Sequence, residues 1–537
     1  MAELSGLFNR GIRKLQLFGR IRRLNKMIAA HTVLEEKQKP IVFFNASTRL
    51  EGLNLNAAFG MISSWGVQLA GREVVHLACE SGMSQCVLGA GLGDPRTPPP
   101  CQGCIQHSRL FTGAAQTAWF NYREDPDLRL ILNGKTVEKL ETFSYQDRPL
   151  GPLVLPSLRW ILRRHNLQED DLTHYLFSEY ILSAHNIAVK FSGVIKDVEP
   201  DTVVLFNGLQ YPEAVVRWIS QRQGIRAVTY EVNLQPYSAF FTDGQATIYP
   251  LVIPEDFELS DEQNEVLNGY LVKRFKGDFR MAGHKFWSKM EQLPEEFLTF
   301  TKEFKAIVAV FTNVIFDTSQ AHANTLFRDM FEWLDIVVNK AIKHPDTLFV
   351  IRAHPDEMRK GKSSQESVMD WAVKRGTAKT QNIKLIGPEE TLSSYELIQR
   401  SKFTMVYNSS IGLEATLLGA AVLCAGKARY TQYPTVFYPE SRKDYENQLE
   451  SFLIADAIQT PKEYYEYARK FLYYQLYRAS LPFDEFLYEH PTPGYEQIKK
   501  LSWRDMSSGE SVVLDTVVSG IKAGTPFILE NDLISDH

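Results

Sequence analysis

Short apolar runs separated by stretches of helical periodicity dominate the first half of the chain. IVFFNAS (residues 41–47) and EVVHLACE (73–80) are bounded by polar turn residues, as buried parallel strands are. Apolar residues at helical spacing lie between them over 55–65, and the same order of strand, helix and strand returns over 202–231. This pattern predicts a Rossmann-like α/β domain over residues 31–260.

The second half of the chain repeats the alternation. Apolar runs at 306–313, 347–355, 382–387, 403–410 and 420–426 predict five further strands with helices between them. We expect a second Rossmann-like domain over residues 305–460, facing the first domain across a cleft.

Three other segments have a different character. Residues 94–151 are rich in Pro, Gly and polar residues, which predicts loops or an insertion in the first domain. Residues 261–304 have charged, helical patterning and are expected to connect the two domains. The aromatic stretch that begins near Pro461 predicts a helical tail over 461–537 that crosses the domain joint.

The N-terminal segment, residues 1–30, is strongly basic and predicts a helix. Its net charge is +6, whereas the whole chain carries −5. Its apolar residues form a stripe that changes face near Gly19. Two interpretations stay open: residues 7–28 lie on an anionic membrane surface, or the helix packs on its own domain with its basic face in solvent.

Composition and charge narrow the class of protein. The chain has 537 residues, 44% of them hydrophobic and 23% charged, which is typical of a globular protein. The net charge of −5 argues against a nucleic-acid partner. The longest apolar runs, 57–70 and 413–426, are shorter than the roughly 20 residues of a membrane-spanning helix. With no signal-peptide pattern at the start, we expect a cytoplasmic protein, with peripheral contact at the inner face of the cell membrane if residues 7–28 bind lipid.

Polar residues gather where two strands of the second domain end. Ligands of open α/β sheets bind at that edge, where backbone N–H groups, hydroxyls and basic side chains suit the phosphates and ribose of a nucleotide. A histidine there is also common as a structural residue, and paired serines as a helix cap. The sequence contains neither GxGxxG nor GxxxxGK[ST], so we expect no NAD and no ATP P-loop. The candidate residues are Arg352, His354, Pro355, Asn408, Ser409, Ser410, Gly412 and Glu414.

Four motifs in this region resemble a known family. They are TNVIFDTS (312–319), IRAHPDE (351–357), GPEETLSSYEL (387–397) and VYNSSIGLEATLLGAAVLCAG (406–426), followed by Tyr430. They look like the C-terminal half of bacterial capsule-polysaccharide-biosynthesis glycosyltransferases of the GT-B fold, over about 306–439, whereas the N-terminal half matches only loosely. By this resemblance His354 and Pro355 contact the base or ribose, Ser409 and Ser410 the phosphate, and Glu414 the ribose.

The resemblance implies transfer of a sugar from a nucleotide-activated donor to a surface-polysaccharide, glycolipid or other glycan acceptor. The donor stays open between CMP- and UDP-linked sugars and between hexosyl, sialyl and Kdo types. A nucleotide-sugar epimerase on the same fold, or an inactive binding subunit of a polysaccharide assembly complex, are the alternatives. Such transferases take the acceptor proton with a base from the N-terminal half. Our candidate is Glu51, in the loop after the first strand, with Glu231 and His185 as reserves.

Four of the five cysteines lie close together in the chain. Cys79, Cys86, Cys101 and Cys104 fall within 26 residues, and the last two form CQGC. Thiolates at such spacing favour structural zinc, ahead of an iron–sulfur cluster, in a reducing compartment, with His76 or His107 as a substitute ligand. The alternative is that these are unligated core or loop cysteines.

Overall fold

The computed structural model of the chain describes residues 2–89, 94, 96–276, 292–359 and 363–532, with the backbone alone given for 2–13. These residues form two compact units. Unit 1 comprises Met1–Ile161, Leu167–Tyr249 and Leu476–His537, and unit 2 comprises Leu162–Asn166 and Pro250–Gln475. The α/β class and the presence of two Rossmann-like units are confirmed, whereas the cleft stays a prediction.

The strands are short and mostly buried. In chain order they are β1 (Ile41–Phe44), β2 (Val74–Cys79), β3 (Gln116–Phe120), β4 (Thr202–Phe206), β5 (Arg226–Val232), β6 (Ser238–Asp243), β7 (Ala306–Phe311), β8 (Thr347–Arg352), β9 (Ile383–Ile386), β10 (Phe403–Val406), β11 (Val422–Cys424), β12 (Leu481–Pro482), β13 (Leu487–Glu489) and β14 (Glu496–Ile498).

The helices vary widely in length. In chain order they are α1 (Ala2–His31), α2 (Leu55–Leu69), α3 (Cys101–Phe111), α4 (Pro126–Leu132), α5 (Val137–Glu141), α6 (Leu150–Leu162), α7 (Asp171–Val198), α8 (Tyr211–Arg222), α9 (Asp261–Phe275), α10 (Glu295–Thr301), α11 (Gln320–Ala323), α12 (Met330–Lys343), α13 (Val368–Arg375), α14 (Ser394–Arg400), α15 (Ile411–Leu417), α16 (Arg442–Ile454), α17 (Lys462–Tyr477) and α18 (Val512–Ala523). Part of the predicted connection 261–304, residues 277–291, lies outside the described residues.

The sheet of unit 1 has seven strands in the order β12-β6-β5-β4-β1-β2-β3. Strands β1 to β5 run parallel to one another, whereas β6 is antiparallel to β5 and β12 is antiparallel to β6. All residues of β1 and β4 are buried, as expected for parallel strands covered on both faces. The direction in which successive strands are added reverses at β1, which lies between β2 and β4.

The sheet of unit 2 has five parallel strands in the order β11-β10-β7-β8-β9. Here the direction reverses at β7, which lies between β8 and β10. The five strands predicted for this half are all observed, because each is an apolar run with clear polar limits. Each unit therefore has one place where a crevice opens between the ends of two diverging strands.

The N-terminal helix α1 packs on unit 1 through its second half. Ile21, Leu24 and Ile28 are buried in the same core as Trp65 of α2, and Arg20 donates to the Tyr488 hydroxyl at 3.0 Å. These apolar side chains are therefore not available to a lipid surface, which favours the alternative of a helix packed on its own domain. The side chains of residues 7–13, which also belong to the proposed membrane contact, lie outside the description. Across the described residues, no helix combines the length and apolar character needed to span a bilayer.

Two predictions about irregular segments are wrong. Residues 94–151 contain α3, β3, α4, α5 and the start of α6. The signal for β3 is weak because this edge strand is only partly buried. The C-terminal tail is not purely helical, since β12 pairs with β6 at the edge of the first sheet and β13 pairs with β14.

Candidate functional site

In unit 2, two asparagines bridge the point where the strand order reverses. Asn313 follows β7 and Asn408 follows β10; Asn313 donates from Nδ2 to Oδ1 of Asn408 at 2.9 Å. Gln320 donates to the same oxygen at 2.8 Å. Because ligands of doubly wound sheets bind in the crevice at such a reversal, this amide cluster marks the candidate site.

The loop after β7 is held by its own polar groups. Asn313 accepts the backbone N–H of Val314 at 2.8 Å. Asp317 accepts both the N–H and the hydroxyl of Ser319, at 3.1 and 2.6 Å. The sequence motif drew attention to this loop, but only the structure identifies Asn313 and Gln320 as the partners of Asn408.

His354 follows β8, and its Nδ1 accepts the backbone N–H of Asp356 at 3.2 Å. Burial lowers the pKa of His354, against the opposing effect of the Asp356 and Asp317 carboxylates. The ring is therefore neutral near pH 7, and because Nδ1 is an acceptor, Nε2 carries the proton. His354 thus presents one N–H donor at the strand edge, beside Pro355 at the start of a short 3-10 helix.

The side chain of Arg352 contacts the protein backbone, whereas the sequence predicted that it contacts a nucleotide. The guanidinium is buried and donates to the carbonyls of Leu392 and Glu390. Burial lowers the pKa of Arg352 to about 10. The carboxylate of Glu390 accepts the N–H of Gly387 at 2.6 Å. Arg352 therefore ties the loop 387–392 to the end of β8, and these contacts identify it as a positioning residue.

The segment after β10 is fixed against Tyr430. The Tyr430 hydroxyl donates to the carbonyl of Ser409 at 2.7 Å. A Cβ atom on Gly412 would lie 2.2 Å from the same hydroxyl oxygen, so only glycine fits there without movement. Ser409 is buried, whereas Ser410 is exposed just before α15. Of the two serines, Ser410 is the one accessible to a ligand.

Glu414 lies inside unit 2. One carboxylate oxygen contacts Nη2 of Arg274 at 2.6 Å, and the other accepts the hydroxyl of Tyr395 at 2.5 Å. The pair of charges is buried, and such pairs are costly to break. These contacts link α9, α14 and α15, and the ribose role of Glu414 stays a prediction.

A buried carboxyl near His354 carried no signal in the sequence. Glu357 is almost completely buried and accepts the N–H of Val368 at 3.2 Å. Burial raises the pKa of Glu357 to about 8. Its contact with Val368 joins residues eleven positions apart in the chain, so no local pattern indicates its burial.

The corresponding reversal in unit 1 is bridged by Glu213. This residue of α8 accepts the N–H groups of Ala46 and Ser47 at 3.0 and 2.8 Å, and the Ser47 hydroxyl at 2.6 Å. Burial raises the pKa of Glu213 to about 7, against the effect of these hydrogen bonds. The segment after β1 is thus held by a residue far away in the chain, which sequence reasoning missed.

Two of the three candidate bases lie at the carboxyl edge of the first sheet. Glu51, in the loop after β1, has a side chain 55% exposed and lies 4.0 Å from Lys14. Glu231, near the end of β5, accepts from Nδ2 of Asn207 at 3.3 Å and from the N–H of Val232 at 2.9 Å. Of the two, Glu51 is the more accessible to an acceptor.

His185 is held elsewhere in unit 1, on α7. Its Nε2 lies 3.2 Å from Asp125, its Nδ1 lies 3.4 Å from Arg148, and Tyr145 packs against the ring. Burial and the nearby Arg148 charge lower the pKa of His185. These contacts are those of a buried structural histidine.

The four clustered cysteines line one small cavity in unit 1. Burial raises the pKa of Cys86 to about 12, and Cys79 accepts the N–H of Gly82. Among the residues that the structure describes, no three His, Cys, Asp or Glu side chains are arranged to hold a metal ion.

The substitute ligands do not complete a site either. His107 bonds to the carbonyl of Gly103, and His76 lines a different cavity. All five cysteines are free thiols. The arrangement therefore does not support the zinc site expected from the sequence.

Comparison with known proteins bears on unit 2 most directly. Residues 291–434 match the family described as capsule polysaccharide biosynthesis protein, the region that carries the amide cluster, His354 and Ser410. The curated protein FixF of Sinorhizobium fredii is 27% identical over 228 residues, which are 42% of this chain and 49% of that protein. The chain thus spans about half the length of that curated relative.

Two solved structures have a distant likeness to parts of this chain. The beta Kdo 2,4 transferase KpsC of Thermosulfurimonas dismutans is 12% identical, with a TM-score of 0.35, over 59% of this chain and 87% of that one. A UDP-GlcNAc 2-epimerase from Neisseria meningitidis, bound to UDP-GlcNAc, is 13% identical, with a TM-score of 0.24, over 81% and 99%.

Proposed function

Since residues 291–434 belong to the capsule polysaccharide biosynthesis family, we propose that this chain is a glycosyltransferase. It moves a sugar from a nucleotide-activated donor to a surface-polysaccharide, glycolipid or other glycan acceptor. The observation that carries the proposal is the amide cluster of Asn313, Gln320 and Asn408 at the strand reversal of unit 2, since crevices of this kind bind nucleotides.

The nucleotide-sugar site binds its ligand through uncharged hydrogen-bond donors. His354 offers its Nε2–H and Ser410 its exposed hydroxyl, both at the carboxyl edge of the second sheet. Hydrogen bonds to phosphate oxygens stabilise the negative charge that develops on the departing nucleotide. Arg352 acts indirectly, because it fixes the loop 387–392 next to His354.

Unit 1 supplies the base. Glu51 takes the proton of the acceptor hydroxyl as that oxygen forms a bond to the anomeric carbon and the bond from carbon to the nucleotide phosphate breaks. The accessibility of Glu51 favours it over Glu231, whose oxygens accept hydrogen bonds from Asn207 and Val232.

The test is a panel of CMP- and UDP-linked sugars, each incubated with the pure protein with and without a glycan acceptor. Release of the nucleotide together with a lengthened acceptor supports transfer. Interconversion of the donor sugar without a new glycosidic bond identifies an epimerase instead. Nucleotide binding without any turnover across the panel identifies a binding subunit, and either of these two results overturns the proposal.

A further inference from the structure

A second cavity of unit 1 has a half-buried positive charge in its wall, with no carboxylate partner in the described part of the chain. The cavity measures about 40 Å³ and lies beside β1, β2 and α3, with Arg49, His76 and Ser108 in its wall. In the described part of the chain, the side-chain partners of Arg49 are the Ser108 hydroxyl at 3.1 Å and the Cys104 thiol, and the Leu50 carbonyl lies at 3.4 Å. The Nε atom of Arg49 is buried and makes no hydrogen bond.

The guanidinium is also fixed in orientation. It lies 4.4 Å from the centre of the Phe111 ring, a stacking contact that favours a flat arginine. The nearest acidic group is the Cys104 thiol, and burial raises the pKa of that thiol even beside Arg49. Cys104 is therefore protonated near neutral pH and does not neutralise the arginine. A partly buried charge without a counter-ion is a ready binding place for an anion.

His76 supplies a second unpaired group in the same wall. The residue is 4% exposed, and its Nε2 atom is buried without a hydrogen-bond partner among the residues that the structure describes. Burial lowers the pKa of His76 to about 4, so the ring is neutral and can donate from Nε2. Asn45 and Thr112, also in the wall, are only partly buried, which leaves access for a ligand.

We propose that this cavity binds the carboxylate group of an acidic ligand, held by Arg49 and by the Nε2–H of His76. The size favours a carboxylate over a phosphate, because about 40 Å³ is room for roughly three water-sized atoms. A planar guanidinium with a free N–H also suits the two oxygens of a carboxylate. The carboxylate belongs either to a small organic acid or to a sugar acid whose ring stays at the mouth of the cavity.

The inference goes beyond the proposed function and is independent of it, because binding is measured without any sugar donor. Calorimetric titrations at constant ionic strength compare acetate, glucuronate, glucose and inorganic phosphate. We expect acetate or glucuronate to bind and glucose not to bind. Binding of glucuronate alone identifies a sugar acid, and equal binding of both identifies the carboxylate group itself as the ligand.

Variants identify the cavity as the place of binding. Arg49→Gln should weaken carboxylate binding by about 10- to 100-fold, and His76→Phe should weaken it to a smaller degree. Arg109→Gln is the control, since Arg109 lies on α3, a helix beside the cavity, but is exposed and paired with Glu80. Thermal unfolding without ligand checks that each variant retains the fold.

Three results overturn the proposal. One is the absence of binding for both acetate and glucuronate, which leaves only water in the cavity. Another is preferential binding of phosphate, and the third is unchanged carboxylate affinity in a folded Arg49→Gln variant. If Arg49→Gln does not fold, His76→Phe and the comparison of glucuronate with glucose in the wild type decide the question.

Discussion

The side chains of Asn313 and Asn408, 95 residues apart in the chain, meet through a hydrogen bond of 2.9 Å at the reversal of the second sheet. Gln320 shares the same acceptor oxygen. The Oδ1 atom of Asn408 thus connects the ends of β7 and β10 with Gln320 of α11. The geometry of the candidate donor site depends on that oxygen.

Replacing Asn408 tests this dependence. Asn408→Ala leaves the amide donors of Asn313 and Gln320 without their acceptor, which should lower the free energy of unfolding of unit 2 by about 2–4 kcal/mol. Urea titration measures the change, and nucleotide affinity should fall with it. Asn339→Ala is the control, since Asn339 accepts only an exposed contact from Arg375. Equal stability of both variants would contradict the assignment.

Two substitutions of His354 distinguish the roles of its two ring nitrogens. His354→Asn keeps an acceptor near the position of Nδ1 for the Asp356 N–H and removes the distal donor. It should weaken nucleotide binding by about 10- to 100-fold with little change in stability. His354→Gln keeps a distal donor, so it should bind better than His354→Asn. Titration calorimetry makes the comparison, with His344→Ala, at the opposite end of β8, as control. The opposite ranking would exclude Nε2 as the donor.

The assignment of Glu51 as the base predicts that its substitution slows sugar transfer without changing the affinity for the donor. Glu51→Gln retains the size of the side chain but not its proton acceptor, so single-turnover transfer should fall by roughly 10²–10⁴ while donor affinity is retained. Glu231→Gln is the parallel variant. If Glu51→Gln transfers at the wild-type rate and Glu231→Gln does not, the base is Glu231.

Glu213 predicts a pH dependence of stability. Its pKa is raised to about 7 in the folded chain from an ordinary value of 4.5, so the folded state holds this proton more tightly. The stabilisation is complete below about pH 4.5 and is lost as the pH rises to about 7. The wild type should therefore lose about 2–3 kcal/mol over this range relative to Glu213→Gln.

Urea titrations of both proteins at the two pH values measure that difference. Other titrating groups, such as Glu357 and Glu496, cancel in the comparison because both proteins contain them. Glu51→Gln, which changes an exposed carboxylate, is the control. A constant difference between wild type and Glu213→Gln would show that the proton on Glu213 is not linked to folding.

The contact between Gly412 and Tyr430 predicts a rescue. Gly412→Ala places a methyl group 2.2 Å from the Tyr430 hydroxyl oxygen, which should destabilise unit 2 by about 1–3 kcal/mol. Tyr430→Phe removes the obstructing oxygen together with its bond to Ser409. The double variant should therefore lose less stability than the sum of the two single variants, as a double-mutant cycle of unfolding free energies measures.

The sequence was sufficient for elements whose patterns are local. Strands such as β4 and β8 are continuous apolar runs with polar limits, and every such run proved to be a strand. The edge strand β3 was missed because its partly exposed residues weaken the apolar pattern of the sequence. The 28-residue helix α7 was also missed. It does not lie directly between two strands, so the alternation of strands and helices did not indicate it.

The sequence was enough to predict where the candidate site residues lie along the strands, but not where their side chains point. His354 and Ser410 follow strands, as expected, and both remain accessible to a ligand at the sheet edge. Arg352 and Glu414 lie in the same motifs, yet their side chains bond to Glu390 and to Arg274. Motif spacing identifies where a backbone passes, whereas the partner of a long charged side chain depends on what folds against it.

Helices α1 and α18, which lie far apart in the chain, build the same core. Val513, Leu514 and Ile521 of α18 are buried with Ile21 of α1 and Trp65 of α2. On the ribosome, where domains fold as they emerge, all of unit 2 is made before α18. The core of unit 1 therefore stays incomplete, with part of the apolar face of α2 uncovered, until α18 has left the exit tunnel. Synthesis thus exposes this face for the time needed to make all of unit 2, and chaperones that shield it should raise the yield of folded protein in cells.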